Sequence, residues 1–181
     1  MIRLGSNSKT RAKILNDNGI EFIQCGGTFD EDLITTTNPR EFVIEATKGK
    51  YNELFNKYGC DDMPLLVSDT VVTCENKLLR KAKNREDAKD MLMLQSNNHT
   101  TIITCMIFKS LNSYIFDISY STYKFKEFDI DDLNRYIESG ECMGKAGAIM
   151  VEGFCKPYIK SVKGYESTAM GLSIEKLLAF L

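Results

Sequence analysis

The sequence predicts an α/β fold with a mixed β-sheet and flanking helices, and three observations carry that expectation. Short aliphatic and β-branched runs alternate with helix-like segments along most of the chain. Two long runs rich in β-branched and aromatic residues, 100–109 and 114–128, follow one another and read as an antiparallel pair that interrupts the alternation. The helix-like segments carry recognisable start and stop residues.

Taken in order, Ile2, Arg3 and Leu4 form a short opening strand. Ser8 can cap a helix that ends near Asn18, with Gly19 as its left-handed stop. Residues 20–25 read as a second strand. Asn38-Pro39-Arg40-Glu41 places a cap, a first-turn proline and a glutamate three positions after the cap, opening a helix to about Tyr58. Residues 64–72 are a buried-looking strand with Ser68, Asp69 and Thr70 in its middle. Asn84 caps a helix with Ala88, Met91, Leu92 and Leu94 on its apolar side, and Asp129 starts another with Leu133, Tyr136 and Ile137 on one face, closed by Gly140. Residues 158–162 form a last strand. Ser173 opens a final helix whose Ile174, Leu177, Leu178 and Leu181 fall at i, i+3, i+4 and i+7.

The chain has 181 residues, 43% apolar and 27% charged, with 23 Lys+Arg against 25 Asp+Glu and a net charge of −2. That length buries roughly 70% of the unfolded surface, enough for one core, and the whole of 1–181 is expected to be a single domain. A near-zero net charge argues against nucleic acid as a partner held by overall charge. No apolar run approaches the ~20 residues of a membrane span, so no membrane partner is expected. The opening segment lacks the apolar region of a signal peptide. A single histidine, His99, rules out zinc sites built on two or three histidines and reads as a helix terminator or turn residue. The six cysteines, at 25, 60, 74, 105, 142 and 155, contain no Cys-x-x-Cys pair. This spacing, with the missing signal, points to reduced thiols in a cytoplasmic protein.

Four groups of residues could carry chemistry. Gly5-Ser6-Asn7-Ser8-Lys9-Thr10-Arg11 joins the first strand to the first helix, and is either an ordinary serine cap or an anion site built on backbone amides, hydroxyls and Arg11. It lacks the P-loop pattern. Asp69, among aliphatic residues, is costly to bury without a cation, a metal or hydrogen-bond donors; it is either a general base at a cleft or a loop-capping carboxylate. Asp30, Glu31, Lys50 and Lys81 lie near element ends; singly they read as surface charges, and together they are the ingredients of metal-assisted phosphoryl chemistry. The glycine-rich run from Gly140 through Lys145 to Ala148, followed by Val151-Glu152-Gly153, allows either a tight turn or close approach of backbone to a ligand.

Read in sequence, these segments resemble the Maf family of nucleoside triphosphate pyrophosphatases. Leu4-Gly5-Ser6-Asn7-Ser8-Lys9-Thr10-Arg11 is similar to that family's Leu-Ala-Ser-x-Ser-Pro-Arg-Arg opening, Asp30-Glu31 to its Asp-Glu pair, and Ala46-Thr47-Lys48-Gly49-Lys50 to its Ala-x-x-Lys helix. Ser68-Asp69-Thr70-Val71-Val72 is similar to its Ala-Asp-Thr-Val-Val strand, Leu79-Arg80-Lys81-Ala82 to its Leu-x-Lys-Pro turn, and the stretch from Ser96 to Cys105 to its Ser-Gly-x-x-His run. The Gly-Glu-x-x-Gly-Lys-Ala-Gly loop stands whole from Gly140 to Gly147, and Gly171-Leu172 echoes a C-terminal Gly-Leu-Pro.

The resemblance implies two lobes around an elongated cleft, an architecture related to inosine triphosphatase, and hydrolysis of a normal or modified NTP to NMP and pyrophosphate. A divalent cation, Mg²⁺ or Mn²⁺, would be the cofactor. Asp69 would be the proton acceptor, Glu31 and Asp69 the metal ligands, and Lys50 and Lys81 the neutralisers of developing charge. Ser6, Ser8 and Arg11 would hold the triphosphate with help from Lys145, while base choice would track Thr10, Thr70 and Glu152. This chain departs from the family at Lys9-Thr10 and at Ala82 and Ser173, and its Thr, Thr, Glu set fits neither the pyrimidine-type nor the 7-methyl-GTP-type pattern. A carboxylate at Glu152 favours a purine through its N1–H and amino group. The partner expected is a nucleoside triphosphate, with a homodimer left open. A non-catalytic nucleotide-binding regulator of cell division is the alternative.

Overall fold

The computed structural model describes residues 1–181. Its strands are β1 (Ile2–Leu4), β2 (Phe22–Gln24), β3 (Leu65–Cys74), β4 (Lys77–Leu79), β5 (His99–Lys109), β6 (Tyr114–Phe125) and β7 (Ile159–Lys163). Its helices are α1 (Lys9–Asp17), α2 (Pro39–Tyr58), α3 (Arg85–Gln95), α4 (Ile130–Ser139), α5 (Glu166–Ala169) and α6 (Ile174–Leu178). The strands join in one mixed sheet in the order β2-β1-β3-β5-β6-β7, with β4 on β3. β1 runs parallel to β2 and β3, and the remaining pairings are antiparallel.

The four long helices start where their caps predict. Ser8 accepts the Arg11 N–H, Asn38 those of Arg40 and Glu41, Asn84 that of Asp87, and Asp129 those of Asp131 and Asp132. The capping box at α2 is relayed rather than direct: Thr36 Oγ1 donates to Glu41 Oε2 at 2.8 Å and accepts the Asn38 N–H at 3.2 Å. Gly140 closes α4 in the left-handed region at φ 76°.

Two sequence expectations are corrected and two short elements are added. The final helix has five residues, so the apolar stripe is not completed, and Leu178 and Leu181 are 45% and 57% exposed. His99 does not end a helix: α3 stops at Gln95, and His99 opens β5 with its side chain exposed. β4 and α5 were not expected; both are too short to show a period. The hairpin joining β3 to β4 turns on Glu75 and Asn76, at φ 49° and 62°, the pair of positive angles a type I′ turn requires.

Pairing around β3 creates the opening that matters most. β5 covers one side of β3 along its full length. On the other side β1 pairs only with Leu65 and Leu66, and β4 only with Val72, Thr73 and Cys74. The stretch 67–71 is left unpaired on that edge, between the two partial partners. Alternation then sends Asp69 to the face covered by α2, and Ser68 and Thr70 to the opposite face.

The apolar core follows the same division. On the Ser68 face, one large cluster joins Val72, Phe125 and Phe128 to Leu92 of α3 and Leu133 of α4. A second joins Leu4, Leu66 and Met106 to Leu15 of α1 and Leu177 of α6. These are two lobes with a cleft between them. Across the sheet, α2 packs Phe42, Val43 and Ala46 on Val71, Ile103 and Cys105. No helix is long and apolar enough to cross a membrane.

Candidate active site

The cleft has a volume of about 580 Å³, within the range of small-molecule sites. One wall is the turn from β1 into α1. The other is the glycine-rich loop after α4, held by Gln95, whose amide donates to the Gly147 carbonyl at 2.8 Å, and by the Gly147 N–H on Arg80 O at 2.9 Å. Every residue expected to act, Ser6, Ser8, Thr10, Arg11, Glu31, Lys50, Asp69, Thr70, Lys81, Lys145 and Glu152, lines this one cleft. They come from segments far apart in the chain. Asp30 is the exception among the acids singled out: it caps the 3₁₀ turn Glu31–Leu33 by accepting the Asp32 N–H and lies outside the cleft lining.

The charged centre is a lysine between two carboxylates. Lys50 Nζ donates to Glu31 Oε1 at 2.6 Å and to Asp69 Oδ1 at 2.5 Å. The three side chains are 20%, 20% and 9% exposed for Lys50, Glu31 and Asp69. Burial by itself would push the Glu31 carboxyl up. The Lys50 hydrogen bond and the charges of Lys50, Lys81 and Arg80 outweigh it and hold that carboxyl below the usual range. Arg80 adds an ion pair to Asp32 at 2.9 Å and sits over the Phe42 ring. Asp69 Oδ2 has no protein partner, so it remains available to accept a proton or a cation.

Opposite stands Arg11. Its Nε donates to Gly171 O at 2.7 Å, Nη1 to Ser6 Oγ at 3.1 Å and Nη2 to Thr70 Oγ1 at 3.2 Å. A guanidinium carries five N–H donors, so with three of them engaged two remain for a ligand. Burial pulls the Arg11 guanidinium below its ordinary value, while the charges of Asp69 and Glu31 raise it. Ser6 Oγ also accepts the Ser8 N–H at 3.1 Å, which leaves its own proton free to donate. Lys9 and Lys81 are exposed on the cleft rim, and neither forms an ion pair.

Thr70 lines the cleft, and its hydroxyl bonds to two neighbouring side chains. Thr104 uses its single hydroxyl proton on the Thr168 carbonyl at 2.7 Å, so the 2.9 Å contact between Thr70 and Thr104 is donated by Thr70. The Thr70 oxygen is thereby turned to accept from Arg11. Its proton is committed to Thr104, and its oxygen helps orient that arginine. Glu152 lines the cleft with no protein partner for its carboxylate. Sequence reasoning did not single out Thr104, Ser68 or Glu53. Ser68 is buried, with its hydroxyl 2.9 Å from Cys105 O and 3.0 Å from Gly171 O, the carbonyl that receives Arg11, so its single proton serves one or is shared between the two. The only signal for Thr104 is its register opposite Thr70.

For a divalent cation the protein offers the carboxylates of Glu31 and Asp69, and no group of three potential ligands. That donor set does not make an all-protein cage. It does fit Mg²⁺, which is commonly held by one or two carboxylates with phosphate oxygens and water completing the shell.

The fold is mixed α/β, and its cleft sets a half-buried arginine and serine hydroxyls against a lysine-bridged carboxylate pair, groups chemically suited to phosphate oxygens. The chain belongs to the Maf-like protein family, whose model matches residues 1–181. Curated relatives include a nucleoside triphosphate pyrophosphatase of Nitratiruptor sp., 51% identical over 98% of this chain and 96% of that protein. A Helicobacter pylori protein of the same name is 39% identical over 98% of this chain and 93% of its own length. One from Campylobacter jejuni subsp. doylei is 34% identical over the full length of both.

Proposed function

We propose that the protein is a nucleoside triphosphate pyrophosphatase that hydrolyses the substrate to a nucleoside monophosphate and pyrophosphate. The observation that carries the reading is the Lys50 bridge between Glu31 and Asp69, facing Arg11 across one cleft. Relatives named nucleoside triphosphate pyrophosphatase support the reaction class.

In this reading Arg11, Ser6 and Ser8 bind the triphosphate at the start of α1, where backbone N–H groups and the helix dipole favour anions. Asp69, whose Oδ2 is left free by the Lys50 bond to Oδ1, takes the proton of the attacking water. Lys50 holds the Asp69 carboxylate in place and, with Lys81 and Lys145, neutralises charge that builds on the phosphoryl and leaving oxygens. Mg²⁺ or Mn²⁺ arriving with the substrate would be held by Glu31 and Asp69 and would supply further neutralisation of the phosphate oxygens. Glu152 and Thr10, which line the same cleft, would read the base, and a carboxylate at Glu152 favours a purine edge with N–H donors. The site of action is the cytoplasm.

The experiment is a panel of normal and modified nucleoside triphosphates incubated with the protein, with and without Mg²⁺ or Mn²⁺, with pyrophosphate and monophosphate quantified. Cation-dependent release of both supports the reading. Tight binding without turnover of any member overturns it in favour of a nucleotide-binding regulator.

A further inference from the structure

The segment that delivers Glu31 to the cleft has almost no structure of its own. Residues 26–29 take part in no backbone–backbone hydrogen bond, and no helix or strand lies between β2 and the turn at Glu31. Gly26 packs against Asn7, and residues 27–29 lie against one face of α2. Glu53 accepts the Thr28 N–H at 2.8 Å and 3.0 Å on its two oxygens, the Thr28 hydroxyl at 2.7 Å and the Phe29 N–H at 2.9 Å. The Thr28 backbone and hydroxyl bonds hold the Glu53 carboxyl below the usual carboxylate range. One turn earlier, Gly49 admits the Phe29 ring so closely that a Cβ there would lie 2.2 Å from Cζ. Gly27 lies as close to the latch, since a Cβ on it would fall 2.5 Å from Glu53 Oε2. Lys50, next to Gly49 and three residues before Glu53, then receives Glu31. One face of one helix thus holds the ring of residue 29, the amides of 28 and 29 and the carboxylate of 31.

We infer that Glu53 is a positioning residue: its carboxylate latches residues 28 and 29 to α2 and thereby fixes Glu31 against Lys50 in the cleft. Glu53 lies outside the cleft lining and touches no reacting group. Its effect passes through Glu31. The latch needs an acceptor with two oxygens, because two neighbouring N–H groups and a hydroxyl converge on it. A glutamine would turn an NH₂ toward one of them. This role rests on the pyrophosphatase reading of the cleft, since Glu31 matters to turnover only there.

The test compares Glu53→Gln with wild type in the full chain, with Thr28→Val as a milder variant that removes only the hydroxyl donor. Amide hydrogen exchange at Thr28 and Phe29 should accelerate in Glu53→Gln while the strands keep their protection. Pyrophosphate release should lose about tenfold in kcat with KM little changed, because the triphosphate is held on the opposite wall. Thr28→Val should move both quantities the same way by less. In a Glu31→Gln background the Glu53→Gln change should add less than about twofold, as expected for a residue acting through Glu31. Unchanged exchange at Thr28 and Phe29, or a full and independent loss in the Glu31→Gln background, overturns the latch. A wild-type protein that releases no pyrophosphate from any triphosphate instead overturns the function reading, and the latch's catalytic role with it.

Discussion

Replacing Lys50 with methionine keeps most of the side chain's packing and removes the one charge that joins Glu31 to Asp69. Two carboxylates then face each other across the space of a single ammonium. Removing one partner of a fully buried pair costs about 3–5 kcal/mol. Here the side chains keep 20%, 20% and 9% exposure, and Arg80 still approaches Glu31 at 3.9 Å. Solvent and that residual cation lower the expected loss to about 2–3 kcal/mol at neutral pH. For a chain of this size the melting temperature should fall by about 4–12 °C. The pH dependence is the sharper part. In the wild type, Glu31 is held below its ordinary value, so its contribution to stability is present above that value and is lost as pH falls through the depressed one. In Lys50→Met, burial and the neighbouring Asp69 push Glu31 up, so the penalty exists at high pH and is relieved as acid protonates Glu31. Thermal or urea unfolding of both proteins at about pH 7.5 and about pH 4.5 measures this directly, and the gap should narrow at the lower pH. A loss under about 0.5 kcal/mol, or one of equal size at both pH values, would refute the claim that Lys50 bridges two charged carboxylates.

Two further outcomes follow from the walls of the cleft. Glu152→Gln should shift relative kcat/KM between guanine-type and pyrimidine triphosphates by about 10- to 150-fold, the effect of one charged hydrogen bond to a base edge; uniform slowing of every substrate would place Glu152 with the reacting groups instead. Gly147 sits at φ +60°, and a Cβ there would lie 2.8 Å from Val72 Cβ and Cγ1. Gly147→Ala should therefore lower unfolding stability by about 1–3 kcal/mol in a melt, and an unchanged melting temperature would show that the loop yields freely.

Features decided within a few residues were readable in the sequence. Ser8, Asn38, Asn84 and Asp129 cap their helices because a short polar side chain next to free N–H groups acts locally, whatever packs above it. The final helix shows the opposite case. Its i, i+3, i+4, i+7 leucine stripe predicted a longer element, but the helix stops at Leu178 and leaves Leu178 and Leu181 in solvent. The chemistry-bearing residues were visible one by one, and their convergence on one cleft was not a property of any local pattern. It depends on β1 and β4 pairing with opposite ends of β3 and leaving 67–71 open between them. β4 has three residues, too few to signal that pairing. The proton order through Thr168, Thr104 and Thr70 to Arg11, and the Glu53 latch, likewise exist only once strands and helix are in register.

If Asp69 activates water against a triphosphate held in this cleft, binding and turnover must separate when its proton affinity is removed. Wild type and Asp69→Asn are given the best triphosphate substrate with Mg²⁺, products are quantified, and nucleotide binding is followed in the same preparations by thermal shift. Wild type should yield monophosphate and pyrophosphate in equal amounts. Asp69→Asn, which keeps the shape and loses the proton affinity, should still be stabilised by the nucleotide and turn over about a hundredfold more slowly or worse. Near-normal turnover by a folded Asp69→Asn protein, or release of orthophosphate and a diphosphate in place of pyrophosphate, would contradict it.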